Sequence, residues 1–297
     1  EPQNGSDVMT TIDVNIQDVV EQALLKVMTE NECTNGTCIV MEVKTGKIKA
    51  IANLGKIRDG FYAEDLNYAI TPSEPGSTFK LVTLMQALED GKVTLNTSIN
   101  LEGGVWQVAG RTVYDSEKHG KFQATVLEAF EESSNVGMAK IAMTHYSNNV
   151  NEYFKHLTKL RLDSTSGLDL VGERQPRLVK PGSRLWGPTT LPWMAFGYNI
   201  EITPLQTLNL YNSIANNGVM MRPYLVNSIQ EEGRIIKSIS PKVYNAQLCK
   251  PSTIRDLRIA LEGVCINGTG KTLFKNSLYK VAGKTGTALV ANGNKGY

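Results

Sequence analysis

Three short runs of this sequence set hydroxyls beside amines. Ser77-Thr78-Phe79-Lys80 spaces a serine and a lysine three residues apart, Ser133-Ser134-Asn135 pairs a hydroxyl with a carboxamide, and Lys284-Thr285-Gly286-Thr287 arranges a cation and two hydroxyls around a glycine. Acyl transfer asks for a nucleophile, a base within hydrogen-bond reach and donors aimed at a developing oxyanion. Positions i and i+3 share a helix face, so the Lys80 amine can reach the Ser77 hydroxyl. A helix N-terminus would add positive potential and free N–H groups at the nucleophile. Burial beside other cations would lower the lysine pKa until it could take a proton near neutrality.

A competing chemistry is phosphate binding, since Asn267-Gly268-Thr269-Gly270-Lys271-Thr272 ends like a P-loop. That loop needs a glycine five positions before its Gly-Lys-Thr, and a strand in front of it. The position is Cys265, and a helical pattern precedes it, so both conditions fail. Other partial matches have mundane readings. Lys44-Thr45-Gly46 sits between two β-rich runs and reads as a hairpin turn. Ser277-Leu278-Tyr279-Lys280 falls on or beside a strand-like stretch, where i and i+3 point to opposite faces. Ser98-Ile99-Asn100 and Ser147-Asn148-Asn149 match Ser-x-Asn equally well, but Ser133-Ser134-Asn135 interrupts two helical runs, where both side chains can face a cleft.

The elements that must position these residues follow from periodicity. Ile16, Val19, Val20, Ala23, Leu24 and Val27 repeat with a helical period, so residues 10–30 read as an amphipathic helix. Residues 37–53 read as strand, turn, strand. Residues 74–95 begin at Pro75-Gly76 and stop at Asp90-Gly91, a helix with Ser77 near its start. Thr125 and Glu128 form a capping-box pattern before the helical run that Ser133-Ser134-Asn135 breaks. Residues 147–190 are looser, with Pro176, Pro181 and Pro188, and Thr203-Pro204 opens a helix that ends near Asn217-Gly218. Residues 279–290 are strand-like.

With 297 residues, 41% apolar and 20% charged, the chain can bury a large core, and one large domain, alone or with a small appendage, is expected. The net charge of +2 and the dispersed lysines and arginines give nucleic-acid binding no support. No apolar run approaches the ~20 residues of a membrane span. The three histidines and four cysteines lack metal-ligand spacing, so neither a metal nor a cofactor is expected. The turn-like residues between Cys33 and Cys38 leave a local disulfide open. Cys249 and Cys265 flank a helical pattern that would hold them too far apart to bridge, so free thiols are expected there.

Taken in order, Ser77-x-x-Lys80, Ser133-x-Asn135 and Lys284-Thr285-Gly286-Thr287 resemble the signature of the penicillin-recognising serine transferases and hydrolases. The stretches EPGSTFK, ESSNVGMAKIA and AFGYNIEITPLQTLNLYNSIANNG are similar to the transpeptidase domain of class B, monofunctional penicillin-binding proteins, the cell-division branch more than the elongation branch. The resemblance runs from about Thr11 onward.

It implies an α+β fold, an antiparallel sheet with helices on both faces plus a mainly helical region, with Ser77 where the two meet and the Lys284–Thr287 strand as one wall of the cleft. It implies a transpeptidase domain over 11–297 whose C-terminal strands are missing, and a linker or the end of a non-catalytic domain over 1–10. Ser77 would attack the D-Ala-D-Ala carbonyl of a peptidoglycan stem peptide, with Lys80 as base. Ser133 would relay a proton to the leaving amine, and Asn135 would orient Lys80 and bind a substrate amide. Lys284 would act electrostatically near Ser133, Thr285, Gly286 and Thr287 would bind the substrate end, and the Ser77 and Thr287 N–H groups would form an oxyanion hole. β-Lactam antibiotics would acylate Ser77. The implied setting is septal wall synthesis in the bacterial cell envelope, in the periplasmic or extracytoplasmic domain of an inner-membrane-anchored protein, beside a lipid-II-using glycosyltransferase and other cell-division proteins. The alternatives are a β-lactam sensor or inactive scaffold of the same fold, and a D,D-carboxypeptidase or β-lactamase. The absence of a Glu-x-x-Leu-Asn run argues against the class A form of the last.

Overall fold

The structure is a computed structural model and describes residues 5–117 and 119–288. The chain opens with β1 (Asp7–Thr10), α1 (Val14–Glu30), β2 (Asn35–Met41), β3 (Ile48–Arg58) and β4 (Phe61–Ala63). A 3-10 turn, Gly76–Phe79, leads into α2 (Lys80–Glu89), followed by β5 (Ser98–Asn100), β6 (Val105–Val108), β7 (Arg111–Tyr114), β8 (Gln123–Thr125), α3 (Val126–Glu131), α4 (Asn135–Tyr146) and α5 (Val150–Lys159). Then come β9 (Arg177–Leu178), α6 (Thr190–Met194), β10 (Ile200–Glu201), α7 (Pro204–Ala215), β11 (Met220–Met221), β12 (Val226–Glu231), β13 (Arg234–Ser238), β14 (Val243–Asn245), α8 (Pro251–Ile266) and α9 (Lys271–Phe274). These elements fall into two compact units. One comprises the segments up to Pro72, Ser164–Pro176 and Ile202–Leu248, the other Ser73–Asp163, Arg177–Glu201 and the segment from Cys249 onward.

The first unit is built on antiparallel sheets. In β2 and β3 the side-chain period of two sorts apolar residues to both faces. Cys38, Val40, Ala50 and Ala52 meet Ile16, Val20 and Leu24 of α1, and the alanines leave room for the helix. Ile39, Met41 and Ile51 meet Leu205 and Leu208 of α7. This sheet therefore has helices on both faces. The α1 stripe is narrower than expected, because Ile16, Val20 and Leu24 lie in one i, i+4 row while Val19 and Val27 are exposed. Lys44-Thr45-Gly46 is the turn between β2 and β3; Gly46 has φ +79°, and a Cβ there would sit 2.5 Å from the Arg222 carbonyl oxygen. Residues 7–10, expected as a linker or the end of a preceding domain, pair as β1 with β12 in the sheet β1-β12-β13.

The second unit is mainly helical, with small antiparallel ribbons β5–β8, β6–β7 and β9–β10. Every residue from Lys80 to Ala87 of α2 is buried, and the helix packs against α4, α5 and α8. The stretch 147–190 is more ordered than its prolines suggest. It holds α5, whose Tyr153 and Leu157, one turn apart, are buried.

Residues 281–288, expected as a strand, have no strand assignment. A strand is defined by a ladder partner, and none pairs with them among the described residues. Leu289 and Val290, the end of that expected strand, lie outside the described residues. All four cysteines are free. Among the described residues no helix is long and apolar enough to cross a membrane.

Both predicted caps form. Thr125 and Glu128 make a reciprocal capping box at α3, and Thr203 and Gln206 make another at α7, with Pro204 in the first turn. Thr203 is fully buried, so its hydroxyl cannot be replaced by water. Thr203→Ala is expected to lower the unfolding free energy by about 1–2 kcal/mol in urea titrations; an unchanged midpoint would contradict this account of the helix start.

Candidate active site

Ser77 lies in the 3-10 turn that runs directly into α2, and it is buried. The turn is shaped by close backbone approach. Gly76 has φ +54°, and a Cβ there would lie 2.5 Å from the Thr287 carbonyl oxygen. Its N–H donates to Gly197 O at 3.2 Å, and Gly197, at φ +100°, has no room for a Cβ, which would sit 2.0 Å from Gly76 O. On the facing segment, a Cβ on Gly286 would reach 3.0 Å from Thr78 Cγ2. The Lys284–Thr287 run thus lies against the turn that holds Ser77, backbone to backbone.

Ser133 occupies the break between α3 and α4. After the last turn of α3, its N–H donates to Phe130 O at 3.0 Å and that of Ser134 to Ala129 O at 2.8 Å. Ser133 takes the left-handed conformation that usually favours glycine at this place, φ +59°. For a residue with a Cβ this conformation costs on the order of 1 kcal/mol. The turn presents both polar groups of Ser133 to one amine. Lys80 Nζ donates to Ser133 O and lies 3.0 Å from Ser133 Oγ. Lys284 Nζ donates to the same Oγ at 2.8 Å and stands 5.9 Å from the centre of the Phe130 ring. The hydrogen bonds of Lys80 therefore go to Ser133, whereas the i, i+3 spacing pointed to the Ser77 hydroxyl.

Burial is the main force on both amines. It holds Lys80 well below the usual lysine range, the charge of Lys284 adds to the effect, and Asp115 opposes it. Burial brings Lys284 down to about 8. A neutral Lys80 has a lone pair for a proton, while a charged Lys284 supplies positive potential at Ser133 Oγ. One serine hydroxyl thus bridges a base and an acid, an arrangement able to carry a proton to or from a reacting group.

Asn135 opens α4, but its Nδ2 donates to Tyr114 O at 2.7 Å and not toward Lys80. Thr285 Oγ1 lies 2.6 Å from Thr269 Oγ1. Asp115 escaped the sequence reading. Its side chain is 3% exposed, and its carboxylate accepts from Ser134 Oγ at 2.9 Å and Val136 N at 2.9 Å, with His119 Nε2 at 2.8 Å. It therefore braces the α4 N-terminus, and so the Ser133 turn, at the positive end of the helix. A lone aspartate after a β-rich run carries no spacing signal that could have marked it. Among the described residues no group of histidine, cysteine or carboxylate side chains could hold a metal ion.

The family model described as the penicillin binding protein transpeptidase domain matches residues 36–297. The chain is 30% identical over 295 residues to the peptidoglycan D,D-transpeptidase FtsI of Buchnera aphidicola, covering 96% of this chain and 48% of the relative. It is 29% identical over 301 residues to the stage V sporulation protein D of Bacillus subtilis, covering 97% and 45%. The apo crystal structure of penicillin-binding protein 3 from Mycobacterium tuberculosis matches it with a TM-score of 0.83 at 28% identity, over 99% of this chain and 67% of that one. The chain spans about half the length of the curated relatives it matches. With its α+β fold, its ordered motifs and this match over most of its length, the chain belongs to the penicillin-binding protein transpeptidase domain family.

Proposed function

We propose that this chain is the transpeptidase domain of a peptidoglycan D,D-transpeptidase that cross-links stem peptides in septal cell-wall synthesis. The observation that carries the reading is Ser133 Oγ held between the amines of Lys80 and Lys284, with the Lys284–Thr287 run packed on the turn of Ser77. Ser77 Oγ attacks the carbonyl carbon of the penultimate D-Ala while its proton passes to Lys80 Nζ. The C–N bond to the terminal D-Ala breaks, and that amine leaves with a proton delivered through Ser133. An amine of a neighbouring stem then attacks the Ser77 ester and loses its proton to Lys80; the C–O bond to Ser77 breaks, and Lys80 returns the proton to Ser77 Oγ. The oxyanion of each tetrahedral intermediate faces the Ser77 and Thr287 N–H groups. Thr285 and Thr287 bind the terminal carboxylate beside Lys284, Gly286 lets the substrate backbone approach, and Asn135 offers Oδ1 to a substrate amide N–H.

β-Lactams enter the same site, because their strained amide presents a carbonyl to Ser77 and a carboxylate to the threonines. The setting proposed with this reading is the bacterial cell envelope, outside the cytoplasm, beside a glycosyltransferase using lipid-linked precursor and other division proteins.

In intact-mass spectrometry after incubation with benzylpenicillin, the protein is expected to gain one penicilloyl adduct that persists for hours, and Ser77→Ala is expected to gain none. A folded protein without an adduct would refute the reading. In a cross-linking assay with lipid-linked precursor, product that disappears with Ser77→Ala is expected.

The acylation rate has a signed pH dependence. It rises with pH as Lys80, held below the usual lysine range, loses its proton and becomes a base, then falls as Lys284 loses its charge near pH 8. Lys284→Arg keeps its charge throughout and is expected to remove the falling limb up to about pH 10. If that limb stays near pH 8 in the arginine variant, Lys284 is not its source.

A further inference from the structure

We infer that Thr269 sets the preference of this site for ligands ending in a carboxylate, by fixing the direction in which the Thr285 hydroxyl donates. The inference deepens the transpeptidase reading above and rests on it. Thr269 belongs to the 267–272 run whose glycines and lysine resemble a phosphate loop without its strand, and no step of the proposed reaction uses it.

The two hydroxyls, Thr269 Oγ1 and Thr285 Oγ1, are 2.6 Å apart. At that separation they share one proton, and either oxygen can supply it. A carboxylate only accepts. When one docks on Thr285, the Thr285 proton must turn to it, and Thr269 must donate to the oxygen left behind. Lys284 Nζ, 3.5 Å from Thr285 Oγ1, also stands on the donating side. Both neighbours therefore drive Thr285 into the donor role, and a hydrogen bond to a charged acceptor is stronger than one to a neutral carbonyl. An ester in the same place gains less from the arrangement.

The loop that carries Thr269 is braced. Thr269 N–H donates to Glu131 O at 3.1 Å, Gly268 N–H to Gly263 O at 3.0 Å and Gly270 N–H to Val264 O at 2.9 Å. A Cβ on Gly268 would lie 2.1 Å from Glu131 O, and one on Gly263 would lie 1.8 Å from Glu131 Oε1. These glycines let the loop and the end of α8 close onto Glu131, a chemistry unrelated to phosphate. Glu131 is two residues before Ser133, so the element that orders Thr285 is tied to the turn that presents Ser133 to both lysines. Thr269 is a positioning residue: it acts through Thr285, and its own side chain is exposed, so replacing it leaves the core intact.

The test uses full-length protein and two probes, benzylpenicillin and its methyl ester, with the second-order acylation rate measured for wild type, Thr269→Val, Thr269→Ala and Thr269→Ser. The acid-over-ester preference is expected to fall about tenfold in the valine and alanine variants, through loss of rate with the acid while the ester rate stays within about twofold. The serine variant, which restores the hydroxyl, is expected to keep the wild-type preference. Equal slowing of both probes would mark a merely structural role and overturn the inference, as would an unchanged preference in the valine and alanine variants while the wild type acylates at Ser77. Absence of any Ser77 adduct in the wild type would remove the transpeptidase reading and this inference with it.

Discussion

A lysine amine buried in the helical unit with a serine as its polar neighbour is the interaction on which the rest of the site depends. Taking a charged ammonium out of water is costly, and the usual outcome is that the group gives up its proton. Lys80 is fully buried in α2, and its charged form is further penalised by Lys284. The surrounding structure must therefore do two things: exclude water from the amine and still satisfy its hydrogen-bonding groups. The apolar packing of α2 among α4, α5 and α8 does the first. The Ser133 turn does the second, with a carbonyl and a hydroxyl from a single residue.

That turn needs support, because a left-handed serine is strained. Its support comes from elements distant in sequence. Asp115 caps α4 from one side through Ser134 and Val136. On the other side, Glu131 accepts the Thr269 N–H. The two supports differ in kind: Asp115 acts through its carboxylate, which is engaged by a hydroxyl, a backbone amide and an imidazole, whereas Glu131 acts through its main-chain carbonyl. Strain at a functional turn persists where its neighbours over-determine it, and here they hold Glu131, two residues before Ser133, and Ser134, the residue after it.

Glycine serves a second, separate purpose. At Gly76, Gly197 and Gly268 the nearest atom to an added Cβ is a backbone carbonyl oxygen, at 2.5, 2.0 and 2.1 Å. Backbone cannot swing aside as a flexible side chain can, so these are places where the chain passes against itself. The first two bring the Ser77 turn against the 197 turn and the Thr287 backbone, and the third brings the 267–270 loop against α3. The site is thus assembled by main-chain contact, with the reacting side chains projecting from segments that are already fixed.

The sequence by itself determined the local features. Helix starts at Thr125 and Thr203, the turn at Lys44-Thr45-Gly46, the break at Ser133-Ser134-Asn135 and the failure of the phosphate motif all follow from spacing and propensity over a few residues, which is the range such rules cover. The three motifs and their order were also legible, and with them the family. What tertiary structure decided is everything that depends on contact across the chain. It directed the Lys80 bonds to Ser133 instead of Ser77, turned the Asn135 amide toward Tyr114, and placed Asp115 and Thr269 beside residues more than a dozen positions away. It also separated the chain into two units and left 281–288 without a ladder partner among the described residues. Hydrogen-bond partners, strand pairing and burial are properties of pairs, and a sequence pattern within one segment does not contain the second member.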